Sequence, residues 1–365
     1  MKAKPEPESE SAQSASIEQE KPQSSNGQPA NLASLFEVAS GSVMGRHHRL
    51  NGKNNQDASY YATNDAAMAA VVCDGCGSCQ HSEVGAKLGA KLVVNTLLQM
   101  LVCPPGGKVA DPTNNFFWQL LKQNLVEQLG RVAIALAGFC PQPDTRFANH
   151  PQAYLPEVKQ VITDYLLFTV VGALITPQIT VLFSIGDGLV CLNEQTIRIG
   201  PFPGNAPPYI AYALLKPKHG MVLPSDLSIH AQRSTSVVNS ILLGTDGVDD
   251  LIAMAGQKLP DKHELVGPVS QFWQSDRYFY NPDLVRRKLW LINQEGVKPN
   301  WSSRRLHKQP GLLPDDTTLI AIRRIGTMQS DRNLAATEEE LTTIQSVAPR
   351  KIPQKTSSKT PKKMK

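Results

Sequence analysis

Acidic residues that close or open short apolar runs recur along this chain, and they restrict its fold more than any other feature. The clearest instance lies in Ala70 to Gly85, which reads AVVCDGCGSCQHSEVG. The apolar run Met68 to Val72 ends in Asp74-Gly75, passes Gly77 and leads through Ser82 into a segment of helical character. That order is a strand, a tight turn and a helix start. Two turn glycines let the backbone come close to a ligand, and a carboxylate at a strand end is presented to the same space. For a lone Asp-Gly pair the alternative is an Asx turn, in which Asp74 bonds its own backbone. Three more acidic sites, at Asp57, Asp246 and Asp315/Asp316, also adjoin strand-like runs. Four separated segments can therefore bring carboxylates to one end of a sheet.

In chain order, the folded body is expected to begin near Leu35. Phe36 to Val43 alternates as a strand, and Arg46, His47, His48 and Arg49 crowd a loop that ends at Asn55-Gln56-Asp57. Strands follow at Ala58 to Thr63 and Met68 to Cys73. Glu83 to Leu101 reads as an amphipathic helix with Ser82 as N-cap, and Phe116 to Leu136 as a second helix. From Asp164 the pattern predicts strands at Tyr165–Ile175, Ile179–Ile185, Leu189–Leu192 and Thr196–Ile199, arranged as an antiparallel meander. Pro201 to Ser234 reads as an irregular excursion. Val237 to Leu243 then repeats the opening geometry, running into Gly244-Thr245-Asp246-Gly247 and a helix at Val248–Ala255. Residues 261–309 read as helix and loop, and Thr317 to Ile325 as the last core strand. Strands in two batches with helices between them favour an α+β sandwich over a doubly wound parallel sheet.

Both ends differ from this body. Residues 1–34 are rich in Glu, Ser, Gln and Pro, and 327–365 carry a basic Lys/Pro/Ser/Thr stretch. Neither holds enough apolar surface to offset its ordering entropy, so both are expected to be disordered tails around a domain at 35–326. The formal net charge is +5, yet the seven cations between Arg350 and Lys365 exceed it, so the remainder of the chain is acidic. A nucleic-acid-binding body is therefore disfavoured, and a solubilising tail is the preferred reading of the basic end. The longest apolar run, Tyr165 to Thr176, falls short of the ~20 residues of a membrane helix, and six scattered cysteines do not make a secreted disulfide framework. A cytoplasmic monomer with no membrane contact is the expectation.

The ordered set QDA (Gln56 to Ala58), VVCDGCGS (Val71 to Ser78), SIGDG (Ser184 to Gly188), LLGTDGVDDL (Leu242 to Leu251) and DDTTLI (Asp315 to Ile320) resembles the metal-dependent protein phosphatase 2C family. Gly45-x-x-His48 with Gln56-Asp57 resembles a bacterial subgroup of it. The resemblance implies a four-layer α-β-β-α sandwich of two antiparallel sheets with a metal cleft at one end. It implies hydrolysis of phosphoserine and phosphothreonine by a metal-activated water at a pair of Mn²⁺ or Mg²⁺ ions, on a phosphoprotein substrate set by a partner kinase. Oxygen-only ligands agree with those hard ions. Carried over by position, Asp74 bridges the ions, the Gly75 carbonyl binds the second, and Asp246 and Asp315 bind the first. Asp57 orients the attacking water. Asp187 has a structural role near the cleft, and Asp249 and Asp250 are helix N-terminal acids.

Three positions depart from the family pattern. Gln56 stands where many members have Glu, Gly52 where the phosphate-binding Arg usually sits, and Cys76 where many have a His. His48, with Arg46 or Arg49 beside it, is the alternative phosphate contact. The departures motivate a second reading, a phosphatase-like binding module with weak or no turnover. Cys73, Cys76 and Cys79, with His81 nearby, also have the spacing of part of a soft-metal site. Against that, Cys73 ends a buried strand.

Overall fold

In the computed structural model, which describes residues 32–102, 110–139, 155–215 and 224–326, the chain opens with α1 (Leu32–Leu35), β1 (Phe36–Val43), α2 (Arg46–Leu50), β2 (Asp57–Thr63) and β3 (Met68–Asp74). Helices α3 (Ser82–Leu101), α4 (Asn115–Ala137) and α5 (Leu155–Tyr165) follow, then β4 (Val170–Ile175), β5 (Ile179–Ile185), β6 (Gly188–Leu192), β7 (Gln195–Ile199), β8 (Ser228–Ser234) and β9 (Ser240–Gly244). The remainder comprises α6 (Gly247–Ala253), α7 (Gln271–Gln274), α8 (Arg277–Tyr280), α9 (Leu284–Asn293), β10 (Gly296–Asn300), β11 (Arg305–Gln309) and β12 (Thr317–Arg324).

Ten of these strands form two five-stranded sheets, in the orders β2-β3-β4-β5-β8 and β1-β12-β9-β6-β7. Their pairings are antiparallel. Side chains alternate between the two faces of a strand, and β3 shows the consequence. Ala69, Val71 and Cys73 pack under α3 and α4. Met68, Ala70 and Val72 face the other sheet and meet Ile241, Leu243, Ile320 and Ile322 of β9 and β12. A third cluster lies on the far side of the second sheet, where Leu242 and Leu319 meet Val248, Phe272 and Leu289. The molecule is thus an α+β sandwich with layers in the order α-β-β-α. Burial on both faces explains why β3 and β4 are nearly continuous apolar runs, each fully buried Val or Leu contributing about 1.5–3 kcal/mol.

Several expectations need correction. The run from Tyr165 is not all strand: α5 ends at Tyr165, and β4 begins at Val170. The supposed meander is divided, since β4 and β5 belong to one sheet and β6 and β7 to the other. The crossing falls at Gly186-Asp187. Residues 201–234 contain β8 at their end, and 261–309 contain the β10–β11 hairpin. Residues 46–50 are a short helix rather than a loop. Ser82 is the first residue of α3, not its cap, and its hydroxyl donates to the Cys76 carbonyl at 3.0 Å. The N-cap of α4 is Asn114, whose side chain accepts from Phe116 N at 2.9 Å. No described helix is long and apolar enough to cross a membrane. The proposed tails lie outside the described residues, apart from Leu32 to Ser34, where α1 begins the body slightly earlier than expected.

Candidate active site

Strand geometry brings the four acidic segments together. Asp57 opens β2 and Asp74 closes β3, and the two are direct partners in the antiparallel register. Asp74 shares the face of Val72 and so looks toward the second sheet. There β9 and β12 are neighbours, with Gly244 opposite Leu319. Asp246 lies just past the end of β9, and Asp315 and Asp316 just before β12. Thr245 joins the two sheets: its hydroxyl donates to Asp57 Oδ2 at 2.7 Å, and its amide to the Thr318 carbonyl at 3.0 Å.

The carboxyls repel one another. Burial, then the nearby Asp316, pushes Asp57 well above the usual carboxylate range. Burial, then Asp57, Asp246 and Asp315, does the same to Asp74. Asp246 is exposed as a residue, yet enclosure of its carboxyl, with Asp315 and Asp187 nearby, pushes it up to about 7. Asp250 is raised by burial and then by Asp315, so this residue of the first turn of α6 faces the cluster. Asp249 instead accepts from Arg198 Nε at 2.7 Å. Among the described residues, none of Asp57, Asp74, Asp246 or Asp315 pairs with a Lys or Arg. This is a concentration of negative charge without an internal counterion.

Asp316 organises the surroundings. It is 2% exposed. Its Oδ1 accepts from Gly45 N at 2.6 Å, and its Oδ2 from Gln56 N at 2.6 Å and from His48 Nδ1 at 2.7 Å. One carboxylate thereby fixes the start of α2, the entry to β2 and the His48 ring. The approach requires glycine at 45, because a Cβ there would lie 2.3 Å from the Asp315 carbonyl carbon. His48, Asp315 and Asp316 each offer a ligand atom within 4.8 Å of one another. Arg46 Nη1 donates to the Gly311 carbonyl at 3.1 Å, and Arg49 Nη2 to the Asn293 carbonyl at 3.3 Å. Gly52 lies in a turn at φ +66°, a left-handed conformation that an Arg there would adopt only under strain. The next residue, Lys53, reaches the Gly77 carbonyl with its ammonium group.

The turn after β3 is held on both sides. Gly75 N donates to the Gln56 carbonyl at 3.1 Å, and Cys76 N to the Leu167 carbonyl at 2.9 Å. Gln56 is 1% exposed; its Nε2 donates to the Cys79 carbonyl at 3.3 Å, and its Oε1 is buried without a hydrogen-bond partner. A buried amide oxygen without a partner and the carboxylates at this end of the sandwich are hard oxygen donors of the kind a divalent cation takes. Among the described residues, the cysteines form no comparable set. Cys73 is fully buried beneath α3, on the opposite face from Asp74, and its thiol is pushed up by burial. His81 stacks on Tyr165 with ring centroids 5.0 Å apart. Cys76 and Cys79 are free thiols, and a hydrogen bond from Cys79 draws the Cys76 thiol down.

The structure therefore brings Asp57, Asp74, Gly75, Asp246 and Asp315 to one end of the sandwich, with His48 on its rim. Sequence reasoning missed the roles of Asp316, Thr245 and Lys53; it placed Asp249 and Asp250 in the first turn of a helix, where they lie in α6. The doubled acid at 315–316 was the available signal for Asp316. A family profile described as Protein phosphatase 2C matches residues 44–278, and the chain belongs to that family, a class of phosphoprotein phosphatases. Solved structures similar to it include a bacterial serine phosphatase, at 14% identity and TM-score 0.38, covering 80% of this chain and 98% of that one. Another is the catalytic domain of the serine threonine protein phosphatase PstP in complex with 2 manganese ions, at 15% and 0.39, covering 80% and 99%. A third is PppA, described as a key regulatory component of T6SS in Pseudomonas aeruginosa, at 18% and 0.38, covering 80% and 99%. No curated protein matches the chain.

Proposed function

We propose that this chain hydrolyses phosphoserine and phosphothreonine monoesters in proteins, with Mn²⁺ or Mg²⁺ held at the acidic end of the sandwich. The observation that carries this reading is the convergence of Asp57, Asp74, Asp246 and Asp315 from both sheets, with the carboxyls of Asp57, Asp74 and Asp246 raised by burial and by neighbouring acids. Asp74, Asp246, Asp315 and the Gly75 carbonyl would hold a pair of ions, and the orphaned Gln56 Oε1 is a neutral donor beside them. Such ions neutralise phosphoryl charge and lower the pKa of water. The chain's own residues supply the rest. Asp57, with Oδ2 held by Thr245, offers Oδ1 to orient the attacking water and take its proton. His48, with its Nδ1–H held by Asp316, would donate from Nε2–H to a phosphoryl oxygen in its imidazolium form. A domain over 35–326 that acts on phosphoproteins, opposite a protein kinase, is the corresponding biological reading.

A second reading, a module with weak turnover, is favoured by Gln56 and by the Gly52 turn that has no Arg. One assay separates the two. The purified protein is expected to hydrolyse an aryl phosphate and a phosphothreonine peptide with Mn²⁺ or Mg²⁺ and to stop on chelation. Turnover that ignores metal, or its absence from folded, metal-supplied protein, would overturn the enzymatic reading.

A further inference from the structure

The β10–β11 hairpin plays no part in the site described above. Its strands pair Val297 with Lys308, Lys298 with His307, Pro299 with Leu306 and Asn300 with Arg305. Cross-strand partners share a face. One face therefore carries Val297, Lys308, Pro299 and Leu306, and the other Lys298, His307, Asn300 and Arg305. Both are open to solvent: Leu306 is 63% exposed, and Trp301 at the tip 84%. The segment 296–309 holds Lys298, Arg304, Arg305 and Lys308 and no acid. Lys298 pairs with Asp261 at 3.0 Å, and Lys308 with Glu295 at 3.2 Å. Arg304 and Arg305 have no acidic partner among the described residues.

The root of the hairpin adjoins the site. Asn293, just before it, donates to the Met44 carbonyl at 2.8 Å and accepts from Leu313 N at 3.1 Å, while Arg46 and Arg49 of α2 bond Gly311 and Asn293. Helix α2 also carries His48. The two edges of the hairpin differ, because Pro299 has no N–H and blunts β10. The β11 edge is open, and a two-stranded ribbon gains most from a third strand.

We propose that this hairpin is the docking arm for the substrate polypeptide, taking an extended acidic segment that flanks the phosphorylated residue. The segment lies along the β11 edge, its carboxylates meet Arg304 and Arg305, and its apolar side chains meet Leu306 and Trp301. An open strand edge that carries Arg305, Leu306 and Lys308, with Arg304 and Trp301 at the tip, matches an extended peptide with acidic and apolar side chains. This assignment rests on the phosphatase reading.

The test uses the full chain, two phosphothreonine peptides with acidic or with Ser/Gly flanks, and an aryl phosphate. The wild type is expected to prefer the acidic peptide by about tenfold in kcat/KM, and the preference to shrink with added salt. Arg304→Glu combined with Arg305→Glu, and separately Trp301→Ala, should remove the preference and leave aryl phosphate turnover unchanged. Equal use of both peptides by the wild type, or equal loss on peptide and aryl phosphate in the variants, overturns the assignment. So does binding of the wild type, but not the double variant, to anionic phospholipid vesicles with no peptide preference. If the aryl phosphate is not hydrolysed, the phosphatase reading has failed, and fluorescence anisotropy with a labelled acidic peptide judges docking alone. Binding weakened in the double variant supports the arm, and no binding by the wild type overturns it.

Discussion

Asp57 and Asp74 stand directly opposite each other across β2 and β3, two carboxyls in register at the end of an antiparallel strand pair. Like charges so placed destabilise a sheet. Burial holds both carboxyls well above the ordinary range, with Asp316 adding to it at Asp57, and Asp57, Asp246 and Asp315 adding to it at Asp74.

A pH dependence of stability follows for metal-free protein. A carboxyl whose folded pKa is raised contributes stability that is complete below its unfolded value and lost as pH rises through its folded value. Asp246 moves from the usual 3.8 up to about 7. The melting temperature of chelated protein should therefore fall as pH rises between about 4 and about 7. Mn²⁺ should raise it most at the upper end, where the carboxylates are charged. Thermal scans with and without chelator check this; a metal-free Tm that climbs across that range would contradict the charge cluster.

Asp74→Asn removes one of the opposed charges. Turnover is expected to fall by orders of magnitude, while the metal-free form melts at a higher temperature than the parent. Activity assays and calorimetry on the same preparation separate loss of chemistry from loss of fold. A destabilised metal-free variant would show that the repulsion is not felt.

Asp316 is predicted to matter through its acceptors. Asp316→Ala leaves the buried amides of Gly45 and Gln56 unpaired, each at a cost of about 1–3 kcal/mol. Asp316→Asn keeps one acceptor oxygen and should lose less. Denaturant titration ranks the three proteins; equal midpoints would mean that this carboxylate does not anchor the loop.

Gln56→Glu places a charged oxygen where a neutral one is orphaned. Affinity for Mn²⁺, measured by titration calorimetry, should rise, and the metal-free form should lose stability. Unchanged affinity would place Gln56 outside the coordination sphere.

Cys76→Ser tests the soft-metal alternative. The variant should fold, contain no stoichiometric zinc or iron before or after the change, and retain Mn²⁺-dependent turnover within about tenfold, a barrier change of about 1.4 kcal/mol. Elemental analysis that finds zinc lost with Cys76 would reverse the assignment of the loop.

The sequence by itself determined the segments whose structure is local. The strand, turn and helix of 68–101 are legible because apolar periodicity, two glycines and the length of the helix all agree within one stretch of chain. The acidic residues could be picked out for the same reason, each standing at the end of an apolar run. Only the tertiary structure decided which strands share a sheet, since β5 and β6 are divided at a crossing that no local pattern marks. It also decided that residues 155–165 coil before β4 begins and that 296–309 form a hairpin, where short exposed runs carry little periodic signal. Asp316 is the plainest case. Its partners at Gly45 and Gln56 lie 271 and 260 residues away in sequence; the first bond needs β1 paired with β12, and the second needs the two sheets packed together.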